Sequence, residues 1–195
     1  MFKTVLIANR GEIAIRAIRT LKKMGVTSIA VYSETDRYAQ HVIDADIAVS
    51  LEGTKPSDTY LSIEKLIAAA KNTGAEAIFP GYGFLSESAD FARACEENGI
   101  AFMGPTAGQI LEFGLKHRAR ELAAAANVPM TPGTGLLNSL DEALAEAEKI
   151  GYPIMLKSTA GGGGIGLTRC DDAEALQEAY ESVKRLGEQF LKDAG

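Results

Sequence analysis

Along the first hundred residues the hydrophobic positions alternate between two periods. Residues 3–8 (KTVLIA) make a short β-branched run that Asn9-Arg10-Gly11 punctuates. From Glu12 to Met24, apolar residues recur at Ala14, Ala17, Ile18, Leu21 and Met24, the spacing of one buried helical face. Arg16, Arg19 and Lys23 fall on another side, and Gly25 offers the positive φ that ends a helix. The beat then repeats. Strands are expected at 28–32 (SIAVY), 47–49, 77–79 and 100–103, with one helix capped by Ser57-Asp58, running to Lys71 and closed by Gly74, and another over 87–97. Strands alternating with helices predict an α/β unit with a parallel sheet covered on both faces. Such sheets gather ligands beyond the carboxyl ends of their strands. Those ends carry Asn9-Arg10-Gly11, Ser33-Glu34-Thr35-Asp36, the segment 81–87 and Gly104-Pro105-Thr106.

After Gly104 the pattern changes. Two helical pieces, 106–113 and 116–126, are split at Gly114, and Pro129, Pro132, Gly133 and Gly135 follow with the composition of a linker. A second unit begins near Ser139 with a helix to Ile150 whose apolar side is Leu140, Ala143, Leu144, Ala147 and Ile150. Two strands, 153–157 and 165–169, flank a glycine run, and Asp171-Asp172 can cap a final helix with Leu176, Ala179, Tyr180, Val183 and Phe190 on one face. A helix, a hairpin and a helix are too little sheet for a closed domain, so this unit is expected to be truncated. The boundaries expected are 1–113, a helical linker at 114–135, and 136–195.

Composition narrows the partners. Of 195 residues, 20 are Lys or Arg and 26 Asp or Glu, for a net charge of −6, and no segment concentrates the cations that a nucleic-acid backbone demands. No apolar stretch approaches a membrane span, and the run at 4–8 is too short for a signal peptide. Cys95 and Cys170, far apart and without a CxxC, read as reduced buried thiols of a cytoplasmic protein. His41 and His117 are isolated, which argues against zinc.

Candidate chemistry lies in three places. Gly161, Gly162, Gly163 and Gly164 exceed the two positive-φ residues a tight hairpin turn can use, so they read as a backbone cradle for phosphate, against the plainer alternative of a loose hairpin. The setting is strand–loop–strand and lacks a Gly-Lys-Ser/Thr ending, which excludes a Walker P-loop. Lys157, just before the glycines, could hold a cation over the same anion; alone it would read as a snorkelling surface lysine. The loop Gly81-Tyr82-Gly83-Phe84-Leu85-Ser86-Glu87 presents Tyr82 and Glu87 at the ligand end of the sheet, although a helix start capped by Ser86 reads equally well. Asn9-Arg10-Gly11-Glu12 sits where a dinucleotide loop would but lacks G-x-G-x-x-G, so a nicotinamide dehydrogenase is disfavoured.

Taken together, IANRGEIA (7–14), FPGYGFLSE (79–87), FMGP (102–105) and KSTAGGGG (157–164), in this order and spacing, resemble the biotin carboxylase family of ATP-grasp ligases over essentially the whole chain. The resemblance implies a Rossmann-like N-terminal subdomain at 1–113 and the start of an ATP-grasp lid from about 131. It implies that Lys116 and Lys157 contact ATP and that Gly163 and Gly164 lie against its phosphates, with Gly161 and Gly162 in the same ATP-binding loop. It further implies ATP and Mg2+ used to turn bicarbonate into carboxyphosphate, which carboxylates biotin on a carrier domain. A carboxyltransferase domain completes such enzymes. The magnesium-binding glutamates and the carboxylating Arg and Lys of the family match nothing in these residues, so the chain alone is expected to be inactive, with no catalytic or metal residue of its own. Glu174, Glu178, Glu181 and Glu188 read as a solvated helix face beside Lys184 and Arg185.

The stretches 115–121 (LKHRARE) and 157–167 (KSTAGGGGIGL) are similar to the urea carboxylase branch, including relatives that prefer guanidine. Ile165 stands where acyl-CoA and pyruvate carboxylases carry Arg or Lys. The alternatives are the biotin carboxylase part of an acetyl-CoA, propionyl-CoA or pyruvate carboxylase, a non-catalytic nucleotide-binding module, and an unrelated interaction protein. Arg16 and Arg19 make an exposed stripe that suits a homodimer surface or simply solvent.

Overall fold

Five parallel strands, β1 (Thr4–Ile7), β2 (Thr27–Tyr32), β3 (Ile47–Ser50), β4 (Ala77–Phe79) and β5 (Ala101–Phe102), form one sheet in the order β3-β2-β1-β4-β5. This computed structural model describes residues 1–158 and 166–193, without the side chains of 184 and 186–193. The chain divides into two units, Met1–Leu111 and Glu112–Gly195.

In the first unit β1 is central and its residues alternate between two cores. Leu6, with Ile29, Val31 and Ile78, packs against Leu66, Ile67, Ala70, Phe91 and Cys95, which belong to α3 (Ile63–Thr73) and α4 (Ala89–Glu97). Val5, Ile7 and Ala77 point the other way, onto Ala14, Ile18 and Leu21 of α1 (Gly11–Lys23). A strand buried on both faces reads as an unbroken apolar run, which is why KTVLIA shows no polar alternation. The edge strand β3, following the short α2 (Gln40–Asp44), leaves Ile47 exposed.

The expected helices are present with shifted ends. Met24 is half exposed because it is the C-cap of α1, and the chain turns at Gly25 with φ +69°. The helix expected to be capped by Ser57-Asp58 starts later, at Ile63, with the Ser62 hydroxyl accepting from Lys65 N. The cause is Tyr60, whose 1% exposure requires the chain to enter the core after a single 3-10 turn at Pro56–Asp58. Likewise α4 is capped by Ser88, accepting from Phe91 N, rather than by Ser86. Gly74, in the left-handed region at φ +66°, closes α3 as expected.

The helix α5 (Ala107–Gly114) buries no residue and contains the division between units. The second unit comprises α6 (Lys116–Ala125), α7 (Leu140–Ile150), a hairpin of β6 (Ile154–Lys157) and β7 (Leu167–Cys170), and α8 (Ala173–Asp193). Among its described residues a core cluster gathers Ala143 and Ala147 of α7, Leu156, Cys170, and Leu176, Ala179 and Val183 of α8. Both cysteines are free and buried, and burial pushes the Cys95 thiol up to about 11.

Candidate functional site

At the carboxyl end of the parallel sheet, the turn after β1 and the loop after β4 are built around one buried amide. Asn9, 4% exposed, donates from Nδ2 to Pro80 O and to Tyr82 O, each at 2.8 Å, while its Oδ1 accepts from Arg10 N at 2.9 Å. Both amide hydrogens are committed, so the side chain serves as a bracket between β1 and the glycine loop. Gly81 (φ +67°) lies so close that a Cβ there would sit 2.9 Å from Asn9 Nδ2. Only glycine satisfies both the backbone angle and the approach.

An open depression of about 430 Å³ follows from this bracket, lined among others by Arg10, Gly11, Glu12, Tyr82 and Phe84. Tyr82 is 61% exposed in its mouth. Glu87 is also exposed but is not part of the lining.

Beside the depression a polar knot joins two of the expected ligand-end turns, through Arg10 and through Ser33 and Asp36, to Tyr60, which the sequence does not mark. Asp36 Oδ2 accepts from Tyr60 OH at 2.7 Å, Ser33 Oγ at 2.8 Å and Arg10 NH1 at 3.1 Å. Burial pulls the Asp36 carboxyl upward, but the hydrogen bonds from Tyr60, Ser33 and Arg10 outweigh it and leave the group below its ordinary value. Burial and the bond to Asp36 push Tyr60 up to about 12. Asp36 therefore stays an anion and Tyr60 a donor across the physiological range. The nearby His41 is buried, with Nε2 3.3 Å from Val31 O and Nδ1 without a partner; burial holds its pKa below the usual histidine value.

The second unit has its own cavity, about 690 Å³, whose lining includes Lys116, His117, Arg120, Lys157, Ser158 and Tyr180. Two lysines singled out on separate motifs thus reach one cavity, Lys116 from the first turn of α6 and Lys157 from the end of β6. The segment expected as a linker, 114–135, supplies part of that wall. Arg120 donates to Thr131 O at 3.2 Å, and a Cβ on Gly133 would come within 2.9 Å of its guanidinium. Arg120 stands four residues after Lys116 on α6, about one helical turn, which puts the two on one face; His117 is the next residue along and no spacing marks it as lining. The hairpin register pairs Lys157 with Leu167, and Ser158 N donates to Gly166 O at 2.9 Å. The phosphate cradle expected at Gly161, Gly162, Gly163 and Gly164, and Ile165 beside it, lie outside the described residues.

Two lysines and an arginine around one cavity suit a polyphosphate anion. Among the described residues no group of His, Cys, Asp or Glu is arranged to hold a metal ion. Glu174, Glu178 and Glu181 are exposed on α8. No described helix is long and apolar enough to cross a membrane.

Comparison with known proteins finds one matching family in each of the two units. Residues 1–110 match the family described as biotin carboxylase, N-terminal domain, and residues 116–193 match the ATP binding domain of the carbamoyl-phosphate synthase L chain. A urea amidolyase of Saccharomyces cerevisiae is 56% identical over 195 residues, covering 100% of this chain and 11% of that protein. Among solved structures, a biotin carboxylase–beta-gamma-ATP complex from Campylobacter jejuni superposes with TM-score 0.91 at 42% identity, covering 97% of this chain and 43% of that one. The biotin carboxylase domain dimer of Hydrogenobacter thermophilus 2-oxoglutarate carboxylase, in complex with MgADP, ADP and bicarbonate, gives TM-score 0.89 at 47% identity, with 97% and 42% covered. The chain thus spans about a tenth of the urea amidolyase it matches. With the N-terminal family matched over more than half its length, and the bracketed glycine loop in that part, the chain belongs to the biotin carboxylase family.

Proposed function

We propose that this chain is the N-terminal part of an ATP-dependent biotin carboxylase module of a urea carboxylase. One observation carries the nucleotide half of the reading: Lys116 and Lys157, distant in sequence, line one cavity of the second unit. Their charges would neutralise the polyphosphate of ATP, and backbone amides of the glycines at 161–164 would add donors without a side chain in the way. The Tyr82 depression of the first unit is read as facing the ureido ring of biotin. In the reaction proposed, a bicarbonate oxygen attacks the γ-phosphorus and ADP leaves, giving carboxyphosphate. The ureido nitrogen then attacks the carboxyl carbon as the C–O bond to phosphate breaks, and the departing phosphate takes up the ureido N–H proton. Magnesium, when bound, would spread the charge developing on the phosphates, with ligands from outside the described residues. A biotinylated carrier and a carboxyltransferase domain are the partners this reading requires. A cytoplasmic setting and a homodimer, with Arg16 and Arg19 exposed on α1, fit it as well.

Urea, or guanidine as a close analogue, is proposed as acceptor over an acyl-CoA or pyruvate. The support is ancestry, namely 56% identity to a urea amidolyase against 42% and 47% for the two carboxylase structures. Acceptor choice is assigned in this reading to the carboxyltransferase domain. The test is a complete enzyme carrying this chain, offered urea, guanidine, acetyl-CoA, propionyl-CoA and pyruvate in parallel. Acceptor-dependent, avidin-blocked ATP hydrolysis is expected with the nitrogen compounds. Turnover confined to the acyl-CoAs or pyruvate would overturn the branch and leave the carboxylase reading standing.

A further inference from the structure

Phe84 carries a backbone angle its side chain disfavours, φ +41°, in a loop whose other left-handed positions, Gly81 and Gly83, are glycines. A phenylalanine persists there only if its surroundings over-determine it. The ring supplies the reason. It stacks on Tyr60 with centroids 5.0 Å apart and planes 16° from parallel. The Arg10 guanidinium lies over both rings, its Cζ 5.4 Å from the Tyr60 centroid and 5.5 Å from that of Phe84. NH1 of the same group meets Asp36 at 3.1 Å, and Asp36 is held by Tyr60 OH and Ser33 Oγ. Cation, carboxylate and two rings therefore close a circuit in which each member fixes the next. Asn9 brackets the first half of the loop at Pro80 and Tyr82, and its neighbour Arg10 reaches the second half at Phe84.

We propose that Arg10 is a positioning residue: its guanidinium, anchored by Asp36 and laid against Tyr60 and Phe84, holds the 81–86 loop in the strained form that presents Tyr82 to the depression. Its part in catalysis rests on the reading of Tyr82 as facing biotin. The group must be planar as well as charged, because only a flat fork can cover two rings while turning an edge to a carboxylate. Lysine keeps the charge and loses the stacking. With its side chain 42% exposed, Arg10 contributes modestly through any single contact, and its effect belongs to the loop rather than to the whole fold.

Two measurements separate the clamp from the functional reading. In the 195-residue chain, Arg10→Met should speed amide exchange at residues 82–86 by about tenfold, leaving the β1 amides unchanged, with Arg10→Lys between it and the native chain. In a complete carboxylase module carrying this chain, Arg10→Met should raise KM for free biotin by about tenfold and move KM for ATP by less than about twofold. Unchanged loop exchange overturns the clamp, and so does an equal rise in both KM values, which a general loss of structure would give. If the native module does not carboxylate biotin, the functional reading fails and loop exchange alone decides the clamp. Where Arg10→Met does not fold, Phe84→Leu, which keeps the pair with Asp36 and removes the ring, takes its place with the same outcomes.

Discussion

The two sites are held by different kinds of structure. In the first unit a five-stranded sheet covered on both faces fixes the position of a backbone loop. Asn9 is 4% exposed, and the loop it brackets turns on glycines at positive φ. Among the described residues of the second unit the sheet is one hairpin with Met155 and Leu167 exposed, and the cavity is lined by long side chains that include Lys116, Arg120 and Lys157. A buried bracket places an atom by steric exclusion and tolerates no substitution. A ring of cations attracts an anion over several ångströms and tolerates adjustment. The first arrangement suits orienting a small neutral ring, the second suits gripping a polyphosphate.

The largest effect should come from breaking the bracket. In Gly81→Ala a methyl meets Asn9 Nδ2 at 2.9 Å and the backbone stays at φ +67°. Strain plus a displaced, buried amide should cost roughly 2–4 kcal/mol. Gly83→Ala is the internal control. Its φ is +68° but nothing lies within 4 Å, so only the angular strain of about 1 kcal/mol remains. Chemical denaturation of both variants checks this, and equal costs would mean that the close approach to Asn9 is unimportant.

Charge in the second unit should matter less to folding and more to ligand. In a complete module, Lys157→Ala should weaken ATP binding by about 1.5–3 kcal/mol, the range of a lost charged hydrogen bond, with stability almost unchanged. Lys149→Ala removes a fully exposed lysine paired with Glu146 and should leave ATP binding as it was. Isothermal titration with ATP compares them, and equal effects would mean that Lys157 is not aimed at the nucleotide.

The same contrast governs what the sequence revealed. The strands and the longer helices of the first unit were readable because burial on both faces writes unbroken apolar runs and a helical stripe at Ala14, Ile18 and Leu21. The short α2, which buries only His41, carries no such stripe and was not. The start of α3 was misplaced because Ser57-Asp58 carries a good cap signature, and only the three-dimensional burial of Tyr60 moves the start to Ile63. Tyr82 stood out through its flanking glycines and Lys157 through the glycine run after it. Arg10 and Asp36 stood at expected strand ends, but their union through Tyr60 was hidden because the three come from distant segments and follow no periodicity. Arg120 was hidden for the opposite reason, since on a helix with Arg118 and Glu121 it reads as one more surface charge.

A third test concerns the pH response of the first unit. Burial lowers the pKa of His41 in the folded chain. In the window between its folded value and the ordinary 6.5, the unfolded chain binds the proton and the native chain does not. Stability is therefore full above that window and falls as the pH drops through it. Asp36 and Asp46, both held below the usual carboxylate value, lose their contribution only at more acid pH. Urea midpoints taken from pH 8 down to pH 5 should decline in the native chain, and His41→Gln should flatten that decline. A decline that survives the substitution would place the titrating group elsewhere.

The smallest effects come from the helix caps, where identical chemistry can be compared across the two units. Ser139 Oγ accepts from Glu142 N at 3.1 Å, and Glu142 Oε2 reaches back to Asn138 N at 2.9 Å, so two open donors at the start of α7 are satisfied reciprocally. Ser62 caps α3 more loosely, at 3.4 Å and without a returning carboxylate. On cap geometry alone, Ser139→Ala should cost about 1 kcal/mol and Ser62→Ala about half of that. Burial sharpens the difference. Helix α3 keeps Leu66, Ile67, Ala69 and Ala70 in a large core, whereas α7 buries only Ala143 and Ala147, so its first turn leans more on the cap. Amide exchange in each helix reads the two costs separately. A larger loss at Ser62 would show that a cap's worth is set by the core its helix joins, and that the second unit is steadier than its single small cluster implies.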